Sequence, residues 1–246
     1  MDNFWCTSDN IPKGLGFSHF DGLHLGWLAV SAVVIIANCL LYRFLGEKGR
    51  KNWRIAVAGL LLADELFMLI PMFIFDTFYL KYLPFELCSI NIFLVAWHTW
   101  KPNSLTGNFL YAVCIPGALA ALLFPSWTKL PLWNYMMLHS FTVHILLVMY
   151  PVVLTAGGDI KPRLRQLPKA LLLLVGLAAV ALVLNLLWDT NFMFLMRAPK
   201  GNPLRWFQDN WGSHLLGFPV LIAAVVVVLY GPMELYNRIK KTPKIP

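Results

Sequence analysis

The sequence predicts an all-α membrane protein, a polytopic bundle of about seven transmembrane helices in one integral membrane domain. Of its 246 residues, 59% are hydrophobic and 13% are charged, against roughly 45–50% and about 25% in a soluble domain. A transmembrane helix needs about 20 apolar residues, so the length allows about seven spans and leaves no room for a soluble domain. Barrel strands would show alternating segments of ~10 residues, which the long unbroken apolar runs exclude.

The candidate spans follow one another with short connections that carry Gly, Pro and charged residues. The predicted spans are Leu23 to Leu45, Arg54 to Phe78, Pro84 to Trp100, Thr106 to Phe124, Leu132 to Ala156, Pro168 to Trp188 and Gly212 to Tyr236. Residues 1–22 are polar and predict an outer segment without a signal peptide. Residues 23–236 form the predicted bundle, and residues 237–246 form a predicted basic cytoplasmic tail.

Positive charge predicts the orientation of the chain, because Lys and Arg collect on cytoplasmic loops. With an outside N-terminus, 14 of the 20 Lys and Arg residues fall inside and 6 fall outside. We therefore expect a multi-pass protein of the cell membrane with its N-terminus outside and its C-terminus in the cytoplasm. The same bias accounts for the formal net charge of +8, so the charge indicates no nucleic-acid partner. Protein partners are not predicted.

Polar residues inside the predicted spans outline a polar interior, because each would be costly against lipid. They are Asn38, Asp64, Glu65, Cys88, Asn91, His139, His144, Asn185 and, directly after the end of the sixth span, Asp189. Cys88 and Asn91 share one helix face, and so do Asn185 and Asp189. A thiol and an imidazole form a nucleophile and its base if they meet, which makes Cys88 the best indication of function.

Helix geometry leaves the partner of Cys88 open. His139 and His144 lie roughly 140° apart on their helix, so only one is expected to face the thiol. Measured from the predicted outer boundary, Cys88 lies about 6 Å deep, His139 roughly 10 Å and His144 roughly 18 Å. Depth favours His139, but boundaries shift by several residues. The topology allows a Cys6–Cys88 disulfide, which no spacing requires.

The sequence indicates the roles of the remaining polar residues less strongly. Asp64 or Glu65 could orient an imidazole as in a triad, make an interhelical hydrogen bond, or serve the proton relay of a transporter. Asn91 could donate to an oxyanion. No Cys/His spacing indicates structural zinc, and neither a metal nor another cofactor is predicted.

Five segments carry a family resemblance. They are Pro84 to Phe93 with its Leu-Cys-Ser core, Asn108-Phe-Leu-Tyr, Pro116 to Pro125, His144 with Pro151 seven residues later, and Thr190 to Pro199. These segments resemble the YwaF-type integral membrane proteins, which are similar in turn to the animal transmembrane protein 164 family. The resemblance spans roughly residues 20–230 and is most specific at Thr190 to Pro199.

Members of the animal branch are acyltransferases that move fatty acyl chains between phospholipids with a cysteine and a histidine. The resemblance implies Cys88 as the nucleophile and His144 as the base, because His144 has the expected distance to Pro151. It thus disagrees with the depth estimate. The bacterial pattern reads His-Leu-Cys, whereas this chain has Glu86-Leu87-Cys88, and a carboxylate beside a thiol disfavours the thiolate.

The tightest part of the resemblance also suggests where a lipid headgroup binds. Arg197 and Lys200 lie in the predicted outer loop beside Asn191, and a guanidinium binds phosphate bidentately. Three classes of function follow from the sequence. The first is a Cys/His-dependent acyltransferase or acyl-ester hydrolase acting on membrane phospholipids or other acyl lipids. The others are a transporter or lipid-binding protein, and a scaffold of the cell envelope.

Overall fold

The computed structural model describes residues 3–199 and 201–235, and these residues form eight helices and no β-strand. The helices are α1 Gly22–Phe44, α2 Glu47–Ile74, α3 Leu87–Trp100, α4 Ser104–Leu123, α5 Tyr135–Ala156, α6 Leu167–Trp188, α7 Pro203–Trp211 and α8 His214–Leu235. The all-helical fold is therefore confirmed. The predicted basic tail, residues 237–246, lies outside the described residues.

Six of these helices are long and apolar enough to cross a membrane, one fewer than predicted among the residues that the structure describes. The exception is α3, which has 14 residues and begins at Leu87 rather than at Pro84. At 1.5 Å per residue it is about 21 Å long, shorter than a hydrocarbon core of about 30 Å. It is therefore too short to cross a membrane by itself as a straight helix.

Two other boundaries differ from the prediction. α2 begins at Glu47 rather than Arg54, because the polar stretch that looks like a connection forms the first turns of the helix. It ends at Ile74 rather than Phe78, where Asp76 adopts a left-handed φ of 52°. The predicted connection Asp189 to Trp211 contains α7, a short helix whose mixed polar and aromatic residues a search for apolar runs overlooks.

Capping residues explain where several helices begin. The side-chain oxygens of four Asp and Asn residues accept hydrogen bonds from backbone N–H groups of the first turn, which otherwise have no partner in a helix. These residues are Asp21 for α1, Asn103 for α4, Asn134 for α5 and Asn202 for α7.

The centre of the bundle is α5, which packs against α1, α2, α3 and α4. In α4 and α5 the apolar stretch is 67% buried, against 11% in α1 and α8. The two imidazoles of α5 therefore face protein rather than lipid, since both His139 and His144 are buried.

One end of the bundle is tied by a charged cluster around Asp159, which follows α5. Its carboxylate accepts hydrogen bonds from Arg50 at 2.9 Å, from Arg54 at 3.3 Å and from the Tyr42 hydroxyl at 2.5 Å. This cluster joins α1, α2 and the end of α5 at the side predicted to face the cytoplasm.

Candidate active site

The thiol of Cys88 and the imidazole of His144 are in direct contact. Cys88 Sγ lies 3.0 Å from His144 Nε2, across the interface between α3 and α5. The depth estimate favoured His139 because it placed the start of the third span at the membrane boundary. α3 begins three residues later and is short, which brings its second residue level with His144.

The second ring nitrogen of His144 fixes the proton on the ring. His144 Nδ1 lies 2.5 Å from the backbone carbonyl oxygen of Ser140. A carbonyl oxygen only accepts hydrogen bonds, so Nδ1 carries the hydrogen and Nε2 of the neutral ring presents its lone pair. Cys88 therefore donates its S–H to Nε2, which is the arrangement that general-base activation of a thiol requires.

Trp127 holds the other face of this imidazole. It lies in the connection between α4 and α5, and its ring stacks on His144 with centroids 5.0 Å apart and planes at 21°. Stacking of this kind restricts ring rotation and keeps water from that face. No sequence pattern predicts this contact, because Trp127 and His144 are 17 residues apart and only the fold brings them together.

Cys88 occupies the first turn of α3, where backbone N–H groups lack partners within the helix. Glu86 stands at the N-cap position, but its side chain does not cap the helix. Instead, Glu86 Oε2 accepts a hydrogen bond of 2.8 Å from the backbone N–H of Met193. The first turn is left with uncapped donors and the positive end of the helix dipole beside the thiol, which together stabilise negative charge there.

A sequence model of the TMEM164 family matches residues 15–230. The chain belongs to the TMEM164 family. The matched region contains the Cys88–His144 contact and the segment Thr190 to Pro199. No curated protein and no solved structure matches the chain significantly.

Two of the predicted site residues of this TMEM164 family member organise the loop after α6. The Asn185 amide donates to the Phe192 carbonyl at 3.0 Å and accepts from the Phe192 N–H at 2.7 Å, and it also accepts from the Thr190 hydroxyl. Asn191 binds the loop backbone in the same manner, accepting from the N–H groups of Met196 and Arg197. Both amides are thus engaged by the loop rather than directed at Cys88.

This loop is strained where it meets α3. Met193 and Phe194 have φ values of 56° and 54°, a left-handed conformation that costs energy for residues other than glycine. Glu86 holds Met193 by the bond described above, and the Phe194 carbonyl lies 2.8 Å from His214 Nε2. Residues from two helices therefore keep the loop over the end of α3.

Of the two predicted headgroup residues, Arg197 lies in this loop. Arg197 is exposed, while Lys200 lies outside the described residues. Trp206 and Trp211 on α7 are also exposed, as expected for aromatic side chains at a membrane interface.

His139 does not join the Cys88–His144 pair but forms a second cluster. Its Nδ1 lies 3.1 Å from the Asp64 carbonyl oxygen and 3.6 Å from Asp64 Oδ1, and its Nε2 lies 3.9 Å from Glu65 Oε2. The two histidines that were considered as partners of Cys88 therefore have different neighbours in the fold. His144 contacts the thiol, and His139 contacts Asp64 and Glu65.

Asn91 lies one turn after the thiol and is fully buried. Neither its amide nitrogen nor its amide oxygen has a hydrogen-bond partner among the described residues. Buried amides are nearly always paired in folded proteins, so this one is available to a ligand.

Proposed function

We propose that this protein is an intramembrane lipid acyltransferase of the cell membrane, with Cys88 as the nucleophile and His144 as the general base. The observation that carries the proposal is the 3.0 Å contact between Sγ and Nε2, in a ring whose proton is fixed on Nδ1 by the Ser140 carbonyl. Membership of the TMEM164 family supports the same conclusion, since the resemblance described above implies acyl transfer between lipids.

The first half of the reaction forms a thioester. His144 Nε2 takes the thiol proton as Cys88 Sγ attacks the ester carbonyl carbon of a membrane lipid. The new C–S bond replaces the C–O bond, and the departing alkoxide takes the proton from His144. In the second half a lipid hydroxyl attacks the thioester, or water does so and the reaction is hydrolysis.

Two sets of donors can stabilise the oxyanion that develops on the carbonyl oxygen. The uncapped N–H groups at the start of α3 lie beside Cys88, and the Asn91 amide lies one turn along the same face. Donors of this kind are worth roughly 10²- to 10³-fold in rate when they are held in place. Arg197 and Lys200 are proposed to bind the lipid phosphate at the predicted outer surface.

The test uses purified protein in phosphatidylcholine vesicles that carry a radiolabelled acyl chain. Wild type should form a hydroxylamine-sensitive acyl thioester and release lyso-lipid. C88A and C88S should form no thioester, and H144A should slow its formation roughly 10²- to 10⁴-fold, the usual contribution of a general base. C39A is the matched thiol control, since Cys39 lies in α1 away from the pair.

Unchanged lipid turnover in C88A and H144A would overturn the enzyme proposal. It would favour the alternative of a transporter or lipid-binding protein, which needs the acidic residues of α2 but not the thiol. H139A provides the second comparison for thioester formation alone, because it removes the imidazole that does not contact Cys88.

A further inference from the structure

The cluster of Asp64, Glu65 and His139 is a second acid–base site in the bundle. His139 Nδ1 lies 3.1 Å from the Asp64 backbone carbonyl oxygen, which only accepts hydrogen bonds, so Nδ1 carries a hydrogen. The other nitrogen, Nε2, faces Glu65 Oε2 at 3.9 Å. The ring is thus oriented by the same device as His144, with a backbone carbonyl on Nδ1 and Nε2 turned towards an acid.

His139 thus presents Nε2, the ring nitrogen without a backbone partner, towards Glu65 across a gap of 3.9 Å. That distance is longer than a hydrogen bond, so the two side chains do not satisfy each other. A hydroxyl group placed between them can bond to both, inside a membrane domain where an unpaired polar group is costly.

The Glu65 carboxyl group is buried without hydrogen-bond partners among the described residues. The residue is 4% exposed, and neither carboxyl oxygen has a hydrogen-bond partner among the described residues; the same holds for Asp64 Oδ2. Leaving a buried polar group unpaired costs about 1–3 kcal/mol. A ligand that donates a hydrogen bond would satisfy it.

A lipid-facing crevice leads to this cluster. It lies between α2 and α5, has a volume of about 350 Å³, and is lined by Leu60, Ala63, Asp64, Phe67, Thr142 and Leu146. Its volume is within the range of small-molecule sites, which begins at about 300 Å³. Leu60 is 58% exposed, so the mouth opens on the surface that faces lipid, and the polar end is Asp64.

The cluster also faces the helix that carries the thiol. Glu65 is buried on α2, which packs against α3, and it acts electrostatically on Cys88. A hydroxyl group held by Glu65 is therefore on the side of α2 that faces a Cys88 thioester.

We propose that Glu65 and His139 bind the free hydroxyl group of an acceptor lipid that enters through the α2–α5 crevice, which reaches the cluster at Asp64, and take its proton during acyl transfer. The inference rests on the proposed thioester chemistry and adds its acceptor side. The hydroxyl oxygen attacks the thioester carbonyl carbon, so a C–O bond forms and the C–S bond breaks. Glu65 receives the hydroxyl proton, and that proton returns to the Cys88 thiolate, so Glu65 and Cys88 both end the cycle in the protonation state in which they began it.

The kinetic test separates the two halves of the reaction. E65Q and H139Q are compared with wild type in vesicles that contain radiolabelled phosphatidylcholine and unlabelled lysophosphatidylcholine. Thioester formation should stay within about threefold of wild type, whereas transfer to the lyso-lipid should fall about 10²-fold, the lower end of a general-base contribution. The acyl enzyme should accumulate. S31A is the control, since the Ser31 hydroxyl binds only the Trp27 carbonyl of its own helix.

A binding measurement needs no turnover. Lysophosphatidylcholine should bind wild type at least tenfold more tightly than its analogue with the free hydroxyl methylated, because a site that pairs with a hydroxyl rejects a ligand lacking it. In E65Q that ratio should approach one. C88A, which has no nucleophile, should keep the wild-type ratio.

The outcomes distinguish the two proposals. Normal transfer in E65Q and H139Q, or equal losses in both half-reactions, would overturn the acceptor site while leaving the Cys88 chemistry intact. Absence of any thioester in wild type would overturn the proposed function. In that case, tighter binding of lysophosphatidylcholine than of its methylated analogue, if it depended on Glu65, would still support a hydroxyl-binding site at Glu65. Equal binding of the two lipids would overturn that site.

Discussion

The Glu86 carboxylate and the backbone N–H of Met193 form a hydrogen bond of 2.8 Å between segments 107 residues apart. Glu86 directly precedes the first turn of α3, two residues before the thiol, and Met193 lies at the strained point of the loop after α6. The bond fixes that loop over the helix end that carries Cys88. This chain has Glu86 at the position where the bacterial pattern has histidine, and the Glu86 carboxylate binds the loop after α6.

We expect E86A to loosen the loop at residues 190–199. Removing the carboxylate leaves the buried Met193 N–H without an acceptor, at a cost of about 1–3 kcal/mol, and the left-handed residues lose one restraint. Hydrogen exchange should rise at residues 190–199 and stay unchanged in α5. E86Q retains an acceptor oxygen and should behave like wild type. Equal exchange protection in E86A and wild type would show that the bond does not hold the loop.

We expect N91L to separate stability from activity. Leucine has a similar volume and removes two buried amide atoms that have no partner among the described residues, so the melting temperature in detergent should stay the same or rise. Thioester formation should slow by roughly 10²- to 10³-fold if the amide donates to the oxyanion. Wild-type rates in N91L would assign that role to the α3 backbone alone.

We expect W127A to impair His144 without removing it. The stacked ring, with its centroid 5.0 Å from that of His144, contributes about 0.5–1.5 kcal/mol, and its loss frees the imidazole to leave the thiol. Misplacement of a catalytic group by about 1 Å can cost roughly 10²-fold, so single-turnover thioester formation should fall by up to that factor. W127F keeps an aromatic face and should retain most of the rate. A normal rate in W127A would mean that the Ser140 contact alone orients the ring.

We expect acid to release the N-terminal segment from the loop before α3. Partial burial raises the pKa of Asp9, but hydrogen bonds from Lys81 and Tyr82 lower it more, so the pKa of this carboxyl lies below its ordinary value of 3.8. The resulting stabilisation is present above pH 3.8 and is lost as the pH falls through the lower pKa of the folded state. The side chains are partly exposed, so the pair is worth less than about 1 kcal/mol.

The measurement for this pair is the melting temperature between pH 5 and about pH 2, compared with D9N. Wild type should be the more stable at pH 5, and the difference should close at the acid end. A constant difference across this range would show that the ion pair does not depend on the charge of Asp9.

Much of the fold follows from local composition. Six of the seven predicted spans match their helices to within three residues among those described, and all of these except α3 are long enough to cross a membrane. An apolar run of about 20 residues has no other stable form in a bilayer. Composition failed where helices are not uniformly apolar. The polar first turns of α2 are stabilised by Asp159 from the end of α5, and α7 is short and amphipathic.

Part of the candidate site likewise follows from the sequence, and part follows only from the tertiary structure. The sequence by itself determined a membrane helical bundle, its family resemblance, and the presence of a thiol and two imidazoles inside apolar runs. Helix geometry left the partner of Cys88 open and the family resemblance implied His144, but only the tertiary structure brings the two side chains together, because their contact depends on the late start of α3 and on its packing against α5. It also gave His139 its own carboxyl partners, since contacts between α2 and α5 join residues about 75 positions apart and leave no local signal in the chain.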